Sequence, residues 1–509
     1  MATVRKDKKG WLFLVAVVLA IIVLTTGGKG RKYDKAADYM WEGNYEAAIE
    51  IYTELGDYEN SRSLLKECRY QQADRLLLQR DYRGALNAFE SLGNYSDSDQ
   101  RILECYLGLA KEASNDEDYE KAISWLLLAD GHPEATAKLD EAHYAYGHQL
   151  FTEGQYGAAQ NQFDQIVQMP ENAEPHFQTL QDARAYLNAQ ADILTETITC
   201  FVGQMPEGNP GDSDFDILSN YVSFQSGSVI YNTQTKQLWI KAYYYPGNRI
   251  LYAWRTGDTS MLSQAELEAM AVAEQVVKEA AEYSDPWTQE LYIYNWLCSH
   301  VEYESPNMDV DNETYKGLRQ LTCLGSLLDG KANCQGYTDG FYLLANMLGM
   351  DVGRIRGDGE GEGHIWNSIM LDGKRYIVDV TFGDADNISK NAKTYTWFNC
   401  KYDPETYTID GGAESIPDLV WEDDLSKGYY TRKNAVFTNL NDATYYLLRQ
   451  YKKNGKGFTY AVVDGQEIPQ ENIKSSLKKN YKKAGVKSYS CTWMVETYGG
   501  DSYIIIQWK

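Results

Sequence analysis

The stretches GKANCQGYTDGFYLLANMLG, residues 330–349, and GHIWNSIMLDGKRYIVDVTF, residues 363–382, decide the fold of this chain. They contain Cys334, His364 and Asp379, in that order and close together in the sequence. A thiol needs a neighbouring base to become a thiolate, and an imidazole needs a carboxylate to fix its tautomer. The three side chains therefore predict a nucleophile, a general base and an orienting carboxylate.

The second stretch predicts a β-hairpin. Residues 364–371 and 374–381 alternate like two strands. The dipeptide between them, Asp372-Gly373, is typical of a two-residue turn, which fixes the pairing on either side of it. A slip of one residue would move every side chain to the other face, so this register decides which residues can meet.

In this register the histidine and the aspartate share one face of the hairpin. His364 lies opposite Thr381, and Trp366 lies opposite Asp379, so Asp379 is the diagonal neighbour of His364. Diagonal neighbours are roughly 7–8 Å apart at Cβ, which lets a carboxylate reach an imidazole. The opposite face is predicted to be the buried side, and it carries Ile365, Ile369, Tyr376, Val378 and Val380.

Cys334 is predicted to begin a helix. Asn333 is a residue type favoured at the N-cap, and Gly349 is expected just beyond the C-terminus of the helix. At a helix N-terminus the macrodipole and the free N–H groups favour a thiolate and can stabilise a developing oxyanion. The apolar stripe at helical spacing consists of Tyr337, Phe341, Leu344 and Leu348.

These segments resemble the core of the transglutaminase-like superfamily, which includes transglutaminases, peptide N-glycanases and bacterial cysteine peptidases. The resemblance covers roughly residues 285–400 and rests on the order Cys, His, Asp with His-x-Trp-Asn and Val-Asp-Val-Thr around the later two. It implies an α+β, papain-like core with Cys334 as nucleophile, His364 as general base and Asp379 as orienting carboxylate. Taken singly, a cysteine is usually a small buried hydrophobe and a strand histidine a satisfied core residue.

The resemblance implies a bacterial cysteine hydrolase that acts on amide bonds of protein or peptide substrates through a thioester acyl-enzyme. Two alternatives stay open. A protein-crosslinking transglutaminase would share the first half of the reaction, with an amine in place of water. A non-enzymatic protein would keep the three residues and use its repeats for binding or assembly at the cell surface.

Residues 33–190 are predicted to be helical repeats with a period of 37. Tyrosines recur at positions 45, 82, 119 and 156, and alanines recur at 48, 85, 122 and 159. Each unit predicts two short helices that must stack on their neighbours, which gives a solenoid resembling tetratricopeptide repeats. Its concave face would bind a protein partner, or the repeats would act only as a spacer, and the sequence favours neither.

The N-terminus predicts a single-span membrane anchor. Residues 1–10 form a basic tail, and residues 11–28 are uncharged, close to the minimum length for a span. No convincing cleavage site follows, so an uncleaved anchor is expected, with the tail inside the cell and the body outside. A cytoplasmic body is the alternative, because Lys29, Arg31 and Lys32 nearly balance the charges of the tail.

The expected fold class is therefore multidomain: a transmembrane helix, an all-α repeat solenoid, a transglutaminase-like core and a small C-terminal α/β domain. The transglutaminase-like domain spans residues 191–425, including a β/α extension before the core. Residues 426–509 form the small domain, which contains 12 Lys and 2 Arg but only 3 Asp and 3 Glu. This basic domain is expected to dock on the acidic body rather than touch an anionic polymer, and no chemistry is assigned to it.

No cofactor, metal or nucleic acid is expected. The formal net charge of −25 argues against nucleic acid. The segment 357–363 lacks the spacing of a dinucleotide-binding loop, and it is interpreted as a flexible acidic loop beside the site. A merely solvated loop is favoured over one that selects substrate. The segment 309–313 lacks the glycine and the glutamate that a calcium loop needs. The eight cysteines include no Cys-x-x-Cys pair, and the chain is not expected to depend on disulfides.

Overall fold

The computed structural model describes residues 8–206, 218–221, 224–306, 318–384, 393–421 and 425–509. Inside these ranges, the side chains of residues 8–13, 19–26 and 425 lie outside the description. The chain divides into two compact units, Met1–Ala173 and Glu174–Lys509.

The first unit is a row of helices, each packed against the next. Within each pair a long helix alternates with a short one, and the short ones begin at the repeated tyrosines, as the period of 37 predicts. The helices are α1 (Lys8–Trp41), α2 (Tyr45–Leu55), α3 (Ser61–Leu78), α4 (Tyr82–Leu92), α5 (Ser98–Asn115), α6 (Tyr119–Leu128), α7 (Ala135–Thr152) and α8 (Tyr156–Phe163).

The repeated residues of the first unit have structural roles. The side chains at 44, 81 and 118 accept a backbone N–H at the start of α2, α4 and α6. The repeated alanines at 48, 85, 122 and 159 are fully buried, because the helices approach closely there. The helical N-terminal region is thus consistent with repeats, and a partner on their concave face stays a prediction.

The repeats end before the predicted boundary at residue 190. Helix α8 ends at Phe163, and the segment after Ala173 belongs to the second unit. There β1 (His176–Thr179) pairs with β2 (Thr197–Gln204), and the capping box Thr179–Asp182 opens α9 (Leu180–Asp192) between them. This strand–helix–strand arrangement replaces the last predicted repeat helices.

The predicted anchor, residues 11–28, lies within α1. Many of its side chains fall in the parts of this helix that lie outside the description. Across the residues that are described, no helix has the length and apolar character needed to cross a bilayer. The structure therefore does not support the transmembrane helix of the expected fold class.

The second unit begins with a four-stranded sheet of order β1-β2-β4-β3. Helix α9 packs on it over a core that includes Leu180, Leu187, Val202 and Ile240. The two remaining strands are β3 (Ser226–Tyr231) and β4 (Gln237–Tyr243). The sequence predicts a β/α extension before the core from residue 191, and the sheet lies in this region but begins earlier, with β1 at His176.

Helices surround a second, five-stranded sheet of order β10-β9-β8-β7-β11. The helices are α10 (Pro246–Thr256), α11 (Gln264–Ala280), α12 (Pro286–His300) and α13 (Cys334–Met347). A small parallel pair, β5 (Glu302–Tyr303) and β6 (Lys331–Ala332), precedes α13. The strands of the large sheet are β7 (Val352–Gly359), β8 (Glu362–Leu371), β9 (Lys374–Val378), β10 (Phe398–Cys400) and β11 (Tyr407–Ile409).

The predicted hairpin register is confirmed, but its second strand is shorter than expected. Strands β8 and β9 pair from Leu371↔Lys374 to Asn367↔Val378. The chain then leaves the sheet, because the Asp379 side chain accepts the N–H of Phe382 and caps a short helix, α14 (Val380–Gly383). Thr381 therefore does not pair with His364, nor Asp379 with Trp366.

The expectation of one buried hairpin face is also incomplete. The five residues predicted to be buried are buried, but so are Trp366, Ser368 and Ile377 on the other face. The sheet is covered on both sides in the second unit. The acidic segment 357–363 is not a loop: β7 and β8 run through it and meet at a two-residue turn, where Glu360 has φ 54° and Gly361 has φ 86°.

Residues 426–509 have their own sheet and core but belong to the second compact unit. The sheet order is β12-β13-β15-β14. Helices α16 and α17 pack on it over the separate core. The elements are α15 (Tyr429–Arg432), β12 (Val436–Phe437), α16 (Leu440–Asn454), β13 (Gly457–Val463), α17 (Gln470–Asn480), β14 (Cys491–Tyr498) and β15 (Asp501–Trp508).

This small domain docks on the central sheet, as expected, but largely through aromatic rings rather than opposite charges. Tyr395 stacks on Tyr429 with ring centroids 3.7 Å apart, and Trp397 meets Tyr498 at 4.7 Å. Lys427 also pairs with Asp372 of the β8–β9 turn. The excess of lysine in the domain is therefore not what holds it in place.

Candidate active site

Cys334 is the first residue of α13, as predicted. The side chain of Asn333 caps the helix, with its Oδ1 accepting the N–H groups of Gln335 at 3.0 Å and Gly336 at 3.3 Å. The helix ends at Met347, and Gly349 has φ 80°, which matches its predicted role. Cys334 is only half-buried, so its thiol can meet a ligand at the positive end of the helix.

The structure joins His364 to Asp379 by a direct hydrogen bond. His364 Nε2 donates to Asp379 Oδ2 at 2.7 Å, and both side chains are buried. The hydroxyl of Tyr407 donates to the same oxygen at 3.1 Å, while the N–H of Phe382 donates to Oδ1 at 3.0 Å. These three donors orient a fully buried carboxylate toward the imidazole.

The other side of the imidazole faces Cys334. Because Nε2 is engaged by Asp379, Nδ1 is the ring nitrogen left for the thiol. Burial acts most strongly on the histidine and disfavours its charge. The charge and hydrogen bond of Asp379, with the hydrogen bond and charge of Cys334, outweigh this and raise the pKa of His364 from 6.5 to about 10. The arrangement therefore keeps the imidazole protonated beside the Cys334 sulfur.

Aromatic packing fixes the plane of the His364 ring. Phe382 stacks on it with centroids 4.5 Å apart and an angle of 12°, and Trp366 lies at 5.6 Å. Gly359 lies directly behind the ring, where a Cβ atom would come within 2.8 Å of His364 Cδ2. The ring has little freedom to leave the line between Cys334 and Asp379.

A buried ion pair holds α13 against the sheet. Asp339 on α13 is fully buried and pairs with Arg354 of β7. It also accepts the N–H groups of Cys323 at 2.8 Å and Gly247 at 3.2 Å. The Arg354 guanidinium lies 3.6 Å from the ring centre of Tyr342, also on α13. This network fixes the helix that carries Cys334 relative to the strands next to His364.

Cys334 and His364 line a cleft of about 550 Å³, a size that suits a small ligand or a peptide segment. The sequence did not predict one of its walls. Met494, Glu496 and Thr497 of β14 line the cleft, although no chemistry was assigned to the C-terminal domain. Their own sequence carries no signal for this, because their position depends on how the domain docks.

Among the residues that the structure describes, no group of three or more His, Cys, Asp and Glu is arranged to hold a metal ion. The segment 309–313, which superficially resembles a calcium loop, lies outside the described residues. None of the eight cysteines forms a disulfide.

Comparisons with known proteins identify the central part of the chain. Residues 271–380 match the model of the transglutaminase-like superfamily. The kyphoscoliosis peptidases of Mus musculus and Homo sapiens are 28% identical over 105 residues and 27% identical over 106 residues. Each match covers 18% of this chain and 15% of the relative, so the chain spans only a small part of these curated relatives.

A solved structure described as "Crystal structure of a TGase" is similar over 42% of this chain and 60% of that one, with 14% identity and a TM-score of 0.21. The family match contains Cys334, His364 and Asp379. It begins in α11 and ends at the start of α14. Residues 271–380 of this protein are a transglutaminase-like domain.

Proposed function

We propose that the protein is a cysteine hydrolase that cleaves amide bonds of protein or peptide substrates through a thioester acyl-enzyme. The observation that carries this proposal is the buried His364, hydrogen-bonded to Asp379 at 2.7 Å and facing the half-exposed Cys334 at a helix N-terminus. Nucleophile, base and orienting group are thus aligned in one open cleft.

In the first half-reaction the Cys334 thiolate attacks the carbonyl carbon of the amide, and the carbonyl oxygen becomes an oxyanion. Cys334 begins α13, so the positive end of the helix dipole lies beside this point and favours the negative charge. The C–N bond then breaks, and the His364 imidazolium gives its proton to the leaving amine. A thioester on Cys334 remains.

In the second half-reaction His364, now neutral, takes a proton from water as the water attacks the thioester. The acid product leaves, and the proton on His364 restores the original pair. Asp379 keeps the imidazole oriented throughout. No cofactor is needed for either step, since the three side chains and water supply every group.

Crosslinking is the alternative for the second step, with a lysine amine in place of water. Hydrolysis is favoured because Cys334 is half-exposed and its cleft is open, so that water can reach the thioester. Incorporation of a fluorescent amine into a glutamine donor decides between them. Amine incorporation without peptide cleavage would replace the hydrolase with a transglutaminase.

A thiol-labelling experiment tests whether the site is a reactive one at all. Six of the eight cysteines are buried, and burial raises the pKa of the other half-buried one, Cys491. We expect iodoacetamide to place one rapid adduct on the native protein, which Cys334→Ser removes and Cys491→Ser keeps. His364→Ala should slow the adduct strongly below neutral pH. Equal slow labelling of both thiols would support the non-enzymatic alternative.

The decisive measurement is the mass of an acyl-enzyme. Wild-type protein mixed with candidate peptides and quenched in acid should gain an acyl group on Cys334, identified by peptide mapping. His364→Ala serves as the matched variant, since it keeps the thiol and removes the base. Cleavage that persists in Cys334→Ala would overturn the proposal.

A membrane setting also remains a proposal from the sequence. The uncharged residues 11–28 after a basic tail are the feature that supports a single-span anchor, with the body outside the cell. Fractionation of expressing cells, followed by protease treatment before and after lysis, tests both parts. A body that survives intact in unlysed cells would place it in the cytoplasm.

A further inference from the structure

The cleft beside Cys334 is lined by carboxylates. Glu360 and Glu362 come from the β7–β8 hairpin, Asp384 follows α14, and Glu496 comes from β14 of the C-terminal domain. No lysine or arginine is present among the described residues that line it. The walls therefore carry negative charge from two different domains into one space that also holds a thiol and an imidazole.

Two hydrogen bonds hold the Glu496 carboxylate. Its Oε2 accepts the hydroxyls of Thr394 and Thr396, both at 2.6 Å, and in the described part of the chain no group donates to Oε1. Burial raises the pKa of Glu496, the two hydroxyls oppose this, and the charge of Glu360 raises it further. Glu496 and Glu360 thus line the same cleft, with no lysine or arginine among its described lining residues.

Two like charges that line one cleft repel each other, and a positive group that enters between them relieves the repulsion. The hydroxyls of Thr394 and Thr396 nevertheless hold the Glu496 carboxylate in place. The same cleft contains the aligned Cys334 and His364, so a ligand that enters it would be the substrate of the proposed reaction. A positive group on that substrate would satisfy both carboxylates.

We propose that Glu496 and Glu360 form a subsite for a cationic side chain, lysine or arginine, carried by the peptide substrate near the amide that is cleaved. This inference rests on the proposed function only in taking the bound peptide to be a substrate. The binding of the peptide can be tested by itself. It assigns the C-terminal domain a part in substrate selection. Asp384 is less available, because the Tyr337 hydroxyl donates to it at 2.5 Å.

The test measures binding in the Cys334→Ala variant of the full chain, so that cleavage does not interfere. The probes are fluorescent peptides in which one residue, moved through successive positions, is lysine, norleucine or glutamate. At the best position we expect the lysine peptide to bind at least about tenfold more tightly than the norleucine peptide, as measured by fluorescence anisotropy. The difference should shrink as salt is added.

Two substitutions place the effect on the glutamates. Glu496→Gln can still accept the threonine hydroxyls, and Glu360→Gln changes an exposed turn residue. Each substitution should lower the ratio of lysine to norleucine binding. The two together should bring this ratio close to one. Glu467→Gln removes an exposed charge from the same C-terminal domain and should keep the ratio. Thermal unfolding of each variant checks that the fold is retained.

The outcomes separate the inference from the proposed function. Equal binding of lysine and norleucine peptides at every position, or a preference that survives both glutamate substitutions, overturns the subsite. Lysine-dependent binding without any cleavage by wild-type protein supports the subsite and contradicts the hydrolase. Cleavage without any preference for a lysine peptide supports the hydrolase and contradicts the subsite.

Discussion

At the scale of single residues, the surroundings of Asp379 explain how His364 keeps its proton. Three donors hold the carboxylate, and its charge and hydrogen bond outweigh the burial that would otherwise drive the proton off the ring. Since the pKa of His364 is raised, the stability it contributes is complete below about 6.5, the ordinary histidine value. It is lost as the pH rises through about 10.

Replacing Asp379 by asparagine tests this coupling. The titration midpoint of His364, followed by NMR of ¹⁵N-labelled histidine, should fall from about 10 toward 6.5 when the negative charge is removed. Peptide hydrolysis should fall between about 10²- and 10⁴-fold, because the ring loses its orientation. Asp351→Asn, which alters an exposed ion pair with Arg375, is the matched control. An unchanged midpoint in Asp379→Asn would contradict the assigned cause.

Gly359 offers a second test, which concerns the position of the His364 ring rather than its charge. Gly359→Ala places a methyl group 2.8 Å from His364 Cδ2 and 3.1 Å from Phe382 Cζ, so the ring must move. Because small misplacements of reacting groups are costly, we expect kcat/KM for a peptide to fall about 100-fold. In Gly363→Ala the new Cβ meets nothing within 4 Å, so a much smaller loss is expected. Equal losses would show that the hairpin, not the ring, is affected.

At the scale of elements, the local sequence explains the positions of Cys334 and His364 but only part of that of Asp379. The Asp372-Gly373 turn fixes the β8–β9 register, and Asn333 caps α13 directly before Cys334. The end of β9 could not be predicted, since an alternating pattern continues past Val378. The strand ends before Asp379, because the Asp379 side chain accepts the Phe382 N–H at 3.0 Å and caps a short helix. The periodicity of the sequence does not indicate this contact.

The N-cap of α13 gives the prediction at this scale. Asn333→Ala removes the acceptor of two backbone N–H groups and should lower the free energy of unfolding by about 1 kcal/mol. Loss of activity in urea is the suitable readout, because it reports on the unit that carries the site. Asn333→Asp keeps an acceptor and should keep the wild-type midpoint. Activity should also fall in Asn333→Ala, since Cys334 loses its fixed place at the helix end.

At the scale of the whole molecule, the fold brings together residues that are far apart in the sequence. The helical repeats and the transglutaminase-like domain follow from sequence repeats, the hairpin and motifs, but the contact of β14 with the cleft does not. Aromatic pairs such as Tyr395–Tyr429 and Trp397–Tyr498 dock the C-terminal domain, and only then does Glu496 reach Thr394. No local pattern in β14 encodes that docking, so the basic domain was expected to lack a role in the site.

The division into two units gives the last prediction. Cys334, His364, Asp379 and Glu496 all lie in Glu174–Lys509, which also contains every core that supports them. We therefore expect residues 174–509 alone to cleave a short peptide with the kcat/KM of the full chain. Residues 174–425 should lose this activity and expose the aromatic surface that Tyr430, Tyr498 and Tyr503 normally cover. A large loss in 174–509 would instead give the repeats a direct part in handling small substrates.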